Sequence, residues 1–77
     1  MRILIAEDDT IIADGLSRSL RQAGYAVDWA PNGVEADAAL ATVSYDLLIL
    51  DLGLPKMPGL EVLKRLRARS SQVPVLI

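Results

Sequence analysis

The chain has 77 residues, 52% of them apolar, with a formal charge of −2 and no Cys, His or Phe. That length suits one small domain and excludes two, and the charge gives no bulk reason to expect nucleic-acid binding. The absence of Cys excludes a disulfide framework and favours a cytoplasmic setting, and no run approaches the ~18 apolar residues of a membrane span.

Residues 2–6 read as a strand, because Ile3-Leu4-Ile5-Ala6 shows no polar alternation, the pattern of a strand buried on both faces. It is too short for a signal-peptide core, and Glu7-Asp8-Asp9 ends it. Residues 10–23 place Ile12, Leu16, Leu20 and Ala23 at helical spacing, with Asp9 or Thr10 as the cap. Gly24 stands where a left-handed residue closes a helix. Tyr25 to Trp29 alternates, with Tyr25, Val27 and Trp29 on one face, which predicts a strand nearer an edge. Pro31-Asn32-Gly33 is a turn in which Asn32 caps an Ala-rich helix over 33–43. Residues 46–50 form a second buried strand, whose Leu47-Leu48-Ile49-Leu50 run is apolar throughout, with Asp51 next. Gly53, Pro55, Pro58 and Gly59 then punctuate a loop before a helix over 60–69, where Leu60, Leu63 and Leu66 predict the core face. Val73 to Ile77 makes a fourth strand.

Strands alternating with helices of this length argue for βαβ units and a parallel sheet. With strands taken in the order 2-1-3-4, right-handed crossovers put the first helix on one face and the other two on the opposite face. The winding then reverses between the first and third strands, the two that end in Glu7-Asp8-Asp9 and Asp51. Ligands of open α/β sheets bind at that switch point, beyond the carboxyl ends of the strands. Converging carboxylates repel unless a cation shares their site. One helix on one face also leaves apolar surface bare, and the fourth strand is an open edge.

Other readings compete at each position. Asp51 alone would be a cap or turn residue, and Asp9 is best read as a first-turn acid. The helix over 61–69 carries Glu61, Lys64, Arg65, Arg67 and Arg69, a local charge of +3, best read as a solvated face. Trp29 and Tyr25 read as packing on the sheet. No P-loop, GxGxxG, HExxH or Ser/His/Asp set occurs.

MRILIAEDD, GYAVDWAPNGVEA, YDLLILDLGLPKMPGLEVLKRLR and VPVLI, in that order, resemble the receiver domain of bacterial two-component response regulators, most closely the OmpR/PhoB-type transcription regulators. The resemblance spans essentially the whole chain. It implies a flavodoxin-like (CheY-like) doubly wound sheet, a phosphoacceptor rather than an enzyme, and a cytoplasmic protein. Asp51 matches the phosphoacceptor; Glu7 and Asp8 match the acidic pair beside it. The Gly53 backbone carbonyl matches the third protein ligand of a Mg²⁺ ion, and Pro55 and Gly59 match the loop that shapes the site.

The family also implies a Ser or Thr just past the fourth strand and a Lys after a fifth. Neither position falls within residues 1–77, and Lys56 lies in another loop. The expectation is therefore a partial receiver domain over 1–77, without the family's last helix, strand and helix, that has the acidic half of a phosphorylation switch but is not switch-competent. The implied partners of the parent are a histidine kinase and, through a C-terminal domain, DNA; no membrane is implied. The alternative is a non-phosphorylated module that self-associates through the bare sheet face and the fourth strand. A third reading, an aspartyl-phosphate phosphohydrolase, is the weakest, since those enzymes look for an Asp two residues past the nucleophile and Gly53 stands there.

Overall fold

The computed structural model describes residues 1–77. Its elements are β1 (Arg2–Ala6), α1 (Thr10–Gln22), β2 (Ala26–Ala30), α2 (Gly33–Thr42), β3 (Leu47–Leu50), α3 (Gly59–Ala68) and β4 (Val75–Leu76). The four strands form one sheet in the order β2-β1-β3-β4, and every neighbouring pair is parallel. The expected order, the expected edge position of the second strand and the count of three helices all hold. Gly24 takes the left-handed conformation expected of it, with φ of 96°.

Two capping side chains start the first two helices. Asp9 Oδ1 accepts the N–H groups of Ile11 at 2.9 Å and Ile12 at 3.2 Å. Asn32 accepts the Glu35 N–H at 2.9 Å, and its own Nδ2 donates to Glu35 Oε2 at 2.6 Å. The bonds from the Ile11, Ile12 and Glu35 N–H groups satisfy donors that a helix start otherwise leaves without partners.

The sheet divides the core into two layers. On one face Leu4, Ala6, Leu48 and Leu50 pack with Ala36 of α2 and with Val62 and Leu66 of α3. On the other, Ile3, Ile5 and Val27 are covered by α1 through Leu20, with Leu47 and Ile49 only partly buried. The expectation that both apolar strands are buried on both faces is thus met by β1 and corrected for β3. There Leu48 and Leu50 are buried while Leu47 and Ile49 are half-covered, because α1 lies against β1 and β2 and does not reach the far side of the sheet.

The same geometry corrects the expected face of α1. Ala13 and Ser17 are its buried residues, whereas Ile12 is 49% exposed and Leu16 stands at the border of the bare side. In α3 the core face is likewise rotated from the expected one. Val62, Leu66 and Gly59 are buried, Leu63 is half-buried, and Leu60 is 62% exposed. The helix begins one residue earlier than expected, and Gly59 presses against the β3–α3 loop, which turns Leu60 outward.

Three basic residues in and just after α3 are engaged rather than simply solvated. Arg65 and Arg69 reach Asp37 of α2 at 3.7 and 3.1 Å, and Arg67 donates to the carbonyls of Ser71 and Val73 at 3.1 and 2.8 Å. At the amino ends of the strands a second polar group gathers. The Arg2 guanidinium donates to Asp28 Oδ2 at 3.0 and 2.8 Å, and the Tyr45 hydroxyl donates to the same oxygen at 2.6 Å. The Arg2 N–H donates to Asp46 Oδ2 at 2.7 Å, which ties the entry of β3 to β1.

Candidate metal centre

Parallel register sets Ala6 beside both Ala30 and Leu50, so the next residues of β1 and β3 emerge side by side at the carboxyl rim. The ladder runs one rung further: Glu7 N–H donates to the Ala30 carbonyl at 3.1 Å, and Asp51 N–H to the Ala6 carbonyl at 2.9 Å. Glu7, Asp8 and Asp51 each bring a carboxylate oxygen to one place, all within 4.8 Å of one another. Asp9 is spent on the α1 cap, as its sequence position predicts.

Each acid is held locally. Glu7 Oε2 accepts the N–H groups of Asp8 at 3.0 Å and Asp9 at 3.4 Å. Asp51 Oδ1 accepts the Gly53 N–H at 3.0 Å, a short Asx turn. The turn continues into a loop fastened at two points. Gly59 N–H donates to the Leu52 carbonyl at 3.0 Å, and Gly33 N–H to the Pro55 carbonyl at 3.1 Å. Pro55 and Gly59, expected to shape the site, are both engaged in this loop through their backbones. Gly53 gives its N–H to Asp51, and Lys56 is exposed in the loop at φ of 67° without an ion pair to the acids.

Glu7 and Asp51 are perturbed in opposite directions. Partial desolvation, and then the hydrogen bond and charge of Asp51, push the Glu7 carboxyl above its ordinary range. The Gly53 N–H, and then the contact with Glu7, hold Asp51 below the usual carboxylate range. The two carboxyls titrate as a pair, shifted in opposite directions by their contact. None of the three carboxylates forms a salt bridge. Crowded hard oxygens without a counter-charge match the donor preference of Mg²⁺, which takes one or two carboxylates and keeps several waters.

An apolar cleft of about 380 Å³ adjoins the acids, lined by Ala6, Leu16, Ile49, Leu50, Leu52 and Ile77, with Glu7 and Asp51 at its rim. One contact of the site was not foreseen in the sequence. The Trp29 indole N–H donates to the Glu7 backbone carbonyl at 2.7 Å. Its only sequence signal is the parallel register that pairs Trp29 with Ile5, two residues before Glu7. The expected packing of Trp29 on the sheet is incomplete, since the side chain remains 43% exposed.

The family model of the response regulator receiver domain matches residues 3–77. The chain is 48% identical over all its 77 residues to the response regulator protein PmrA of Pseudomonas aeruginosa and 51% identical to the transcriptional regulatory protein QseB of Haemophilus influenzae. It spans about 35% of the length of each of these curated relatives. Among solved structures it superposes on the response regulator TrrA of Thermotoga maritima in complex with Mg²⁺ and BeF at a TM-score of 0.89, with 36% identity. That match covers 96% of this chain and 64% of TrrA. TrrA has also been crystallised in complex with the histidine kinase ThkA, and there the TM-score is 0.86.

Proposed function

The chain belongs to the response regulator receiver domain family, and from that premise we propose that Asp51 accepts a phosphoryl group from the phosphohistidine of a histidine kinase, in a Mg²⁺-dependent step. One observation carries the reading: the convergence of Glu7, Asp8 and Asp51 at the carboxyl rim of β1 and β3. Asp51 is the proposed nucleophile because it follows β3 at the switch point and its carboxylate is oriented by the Gly53 N–H. A carboxylate oxygen attacks phosphorus and the bond from phosphorus to the imidazole nitrogen breaks, giving an aspartyl phosphate. Asp8, Asp51 and the Gly53 carbonyl are the proposed protein ligands, with Glu7 acting through water. When bound, the cation supplies neutralisation of the phosphoryl charge and of the crowded carboxylates. Positioning falls to the Asx turn at Asp51 and to the loop fastened at Leu52 and Pro55, which keep the nucleophile at the rim.

The histidine kinase as donor, and control of transcription through a DNA-binding domain in a longer parent, are part of the same proposal. They are supported by the likeness to the PmrA and QseB regulators and to TrrA. The test is treatment with a small phosphodonor and Mg²⁺, followed by intact mass. A label that disappears in Asp51→Asn is expected. Equal Mg²⁺ affinity in the wild type and Asp51→Ala would exclude the site, and a label retained in Asp51→Asn would overturn Asp51 as the phosphoacceptor.

Self-association is a second reading with its own observation. Ile12, Leu16, Leu76 and Ile77 are exposed around the bare side of the sheet, and β4 is an open edge. A second copy placed there would cover both.

A further inference from the structure

We propose that Trp29 is a positioning residue for the acidic cluster: its indole N–H holds the Glu7 carbonyl and so fixes the peptide from which Glu7 and Asp8 present their carboxylates. The inference rests on the cation site proposed above and assigns it a support from the edge strand β2, which supplies no carboxylate to the cluster.

Core packing does not account for this side chain, because a Trp that is 43% exposed leaves much of its apolar area in water. What it does make is a polar contact of 2.7 Å to the Glu7 carbonyl, at the short end of the N–H···O range. The next residue of β2, Ala30, accepts the Glu7 N–H at 3.1 Å. Two consecutive residues of β2 therefore hold Glu7 from its two sides, one through backbone and one through an indole. Indole carries a single N–H donor on a rigid ring with two rotatable bonds, so the contact orients as well as attracts. Past that clamp the chain runs directly into Asp8, and Glu7 Oε2 turns back to the Asp8 and Asp9 N–H groups.

Repulsion among Glu7, Asp8 and Asp51 favours their separation, and the plane of the peptide between Glu7 and Asp8 decides how far they separate. Holding that plane in advance places the carboxylates before the cation arrives, which removes part of the ordering that binding would otherwise require. Supports behind metal ligands commonly act in this way.

The test compares the wild type, Trp29→Phe and Trp29→His in titrations with Mg²⁺ alone, followed by calorimetry at a pH where imidazole is neutral. Urea unfolding without Mg²⁺ is measured in parallel. Loss of the N–H in Trp29→Phe is expected to weaken Mg²⁺ by about 3–10-fold, with recovery in Trp29→His. A purely structural role would lower the unfolding midpoint and leave the Mg²⁺ affinity unchanged, and that result overturns the inference. A second measurement needs no variant: the indole N–H proton of the wild type should exchange slowly and shift on adding Mg²⁺. Rapid exchange with no shift also overturns it. If Asp51→Asn abolishes Mg²⁺ binding while Trp29→Phe does not alter it, the site stands and Trp29 is excluded. If the wild type binds no Mg²⁺, it is the site reading that fails.

Discussion

A Cβ built on Gly59 would lie 2.5 Å from the Asp51 carbonyl oxygen and 2.7 Å from the Leu52 Cα. The first residue of α3 thus abuts the backbone of the candidate phosphoacceptor, and only hydrogen fits between them. Gly59→Ala must displace backbone, since neither atom belongs to a flexible side chain. We expect a loss of about 1–3 kcal/mol, seen as a fall of roughly 4–8 °C in Tm per kcal/mol for a domain of this size. Gly15, inside α1, has nothing within 4 Å of its built Cβ. Gly15→Ala should therefore stabilise, by up to about 1 kcal/mol. Thermal melts of the two variants should move in opposite directions.

Cation binding should appear as stability. A ligand that binds only the folded state at 100 times its Kd adds about 2.7 kcal/mol. Urea midpoints of the wild type are expected to rise with Mg²⁺, and those of Asp51→Asn to remain flat. A parallel rise in Asp51→Asn would place the effect elsewhere on the molecule.

The polar group at the amino ends of the strands sets an alkaline limit. Burial, then the hydrogen bond to Asp28, pushes the Tyr45 hydroxyl up to about 12. The fold thus favours the neutral phenol. Its contribution is complete below the ordinary value near 10 and is lost as pH rises through about 12. Tyr45→Phe should cost about 1.5–3 kcal/mol at neutral pH, the range for a bond to a charged acceptor, and should show a shallower loss of stability between pH 10 and 12. Unfolding by urea across that range, compared between the two proteins, checks both.

Asp28 gives the acid counterpart. The Tyr45 hydroxyl first, and the Arg2 guanidinium after it, hold its carboxyl below the usual range. That contribution is present above the ordinary carboxylate value and is lost as pH falls through the depressed one. Tyr45→Phe should move the Asp28 titration upward, as measured by carboxyl NMR shifts.

Self-association is tested by sedimentation at rising concentration. The wild type is expected to gain mass, and Ile77→Glu, at the edge of the apolar cleft, to remain monomeric. Retained Mg²⁺ stabilisation in Ile77→Glu would show that the cation site does not need a partner copy. A wild type that is monomeric throughout would exclude the association.

Most of the frame was legible because it depends on local patterns. The uniformly apolar runs before Glu7 and Asp51, the caps at Asp9 and Asn32 and the left-handed Gly24 all act within a few residues of themselves. The acidic trio was legible because two runs ended alike and parallel register does the rest. What escaped depends on contacts distant in the chain. Leu60 scores as core by spacing, yet the approach of Gly59 to Asp51 rotates it out. Ile12 and Leu16 satisfy the helical stripe, but α1 covers only the β1–β2 side of the sheet. Trp29 reads as an apolar edge residue until register sets its N–H beside the Glu7 carbonyl.

The Arg2–Asp28–Tyr45–Asp46 group and the acidic trio occupy opposite rims of the same parallel strands. Along β1, from Arg2 to Glu7 at ~3.3 Å per residue, the rims stand roughly 16 Å apart, beyond a Debye length at physiological salt and beyond the range where substitutions usually couple. Changes at the two rims should therefore combine additively. Robustness can be altered at one end of the sheet without retuning the chemistry at the other, which leaves the two properties free to vary independently among proteins built on this plan.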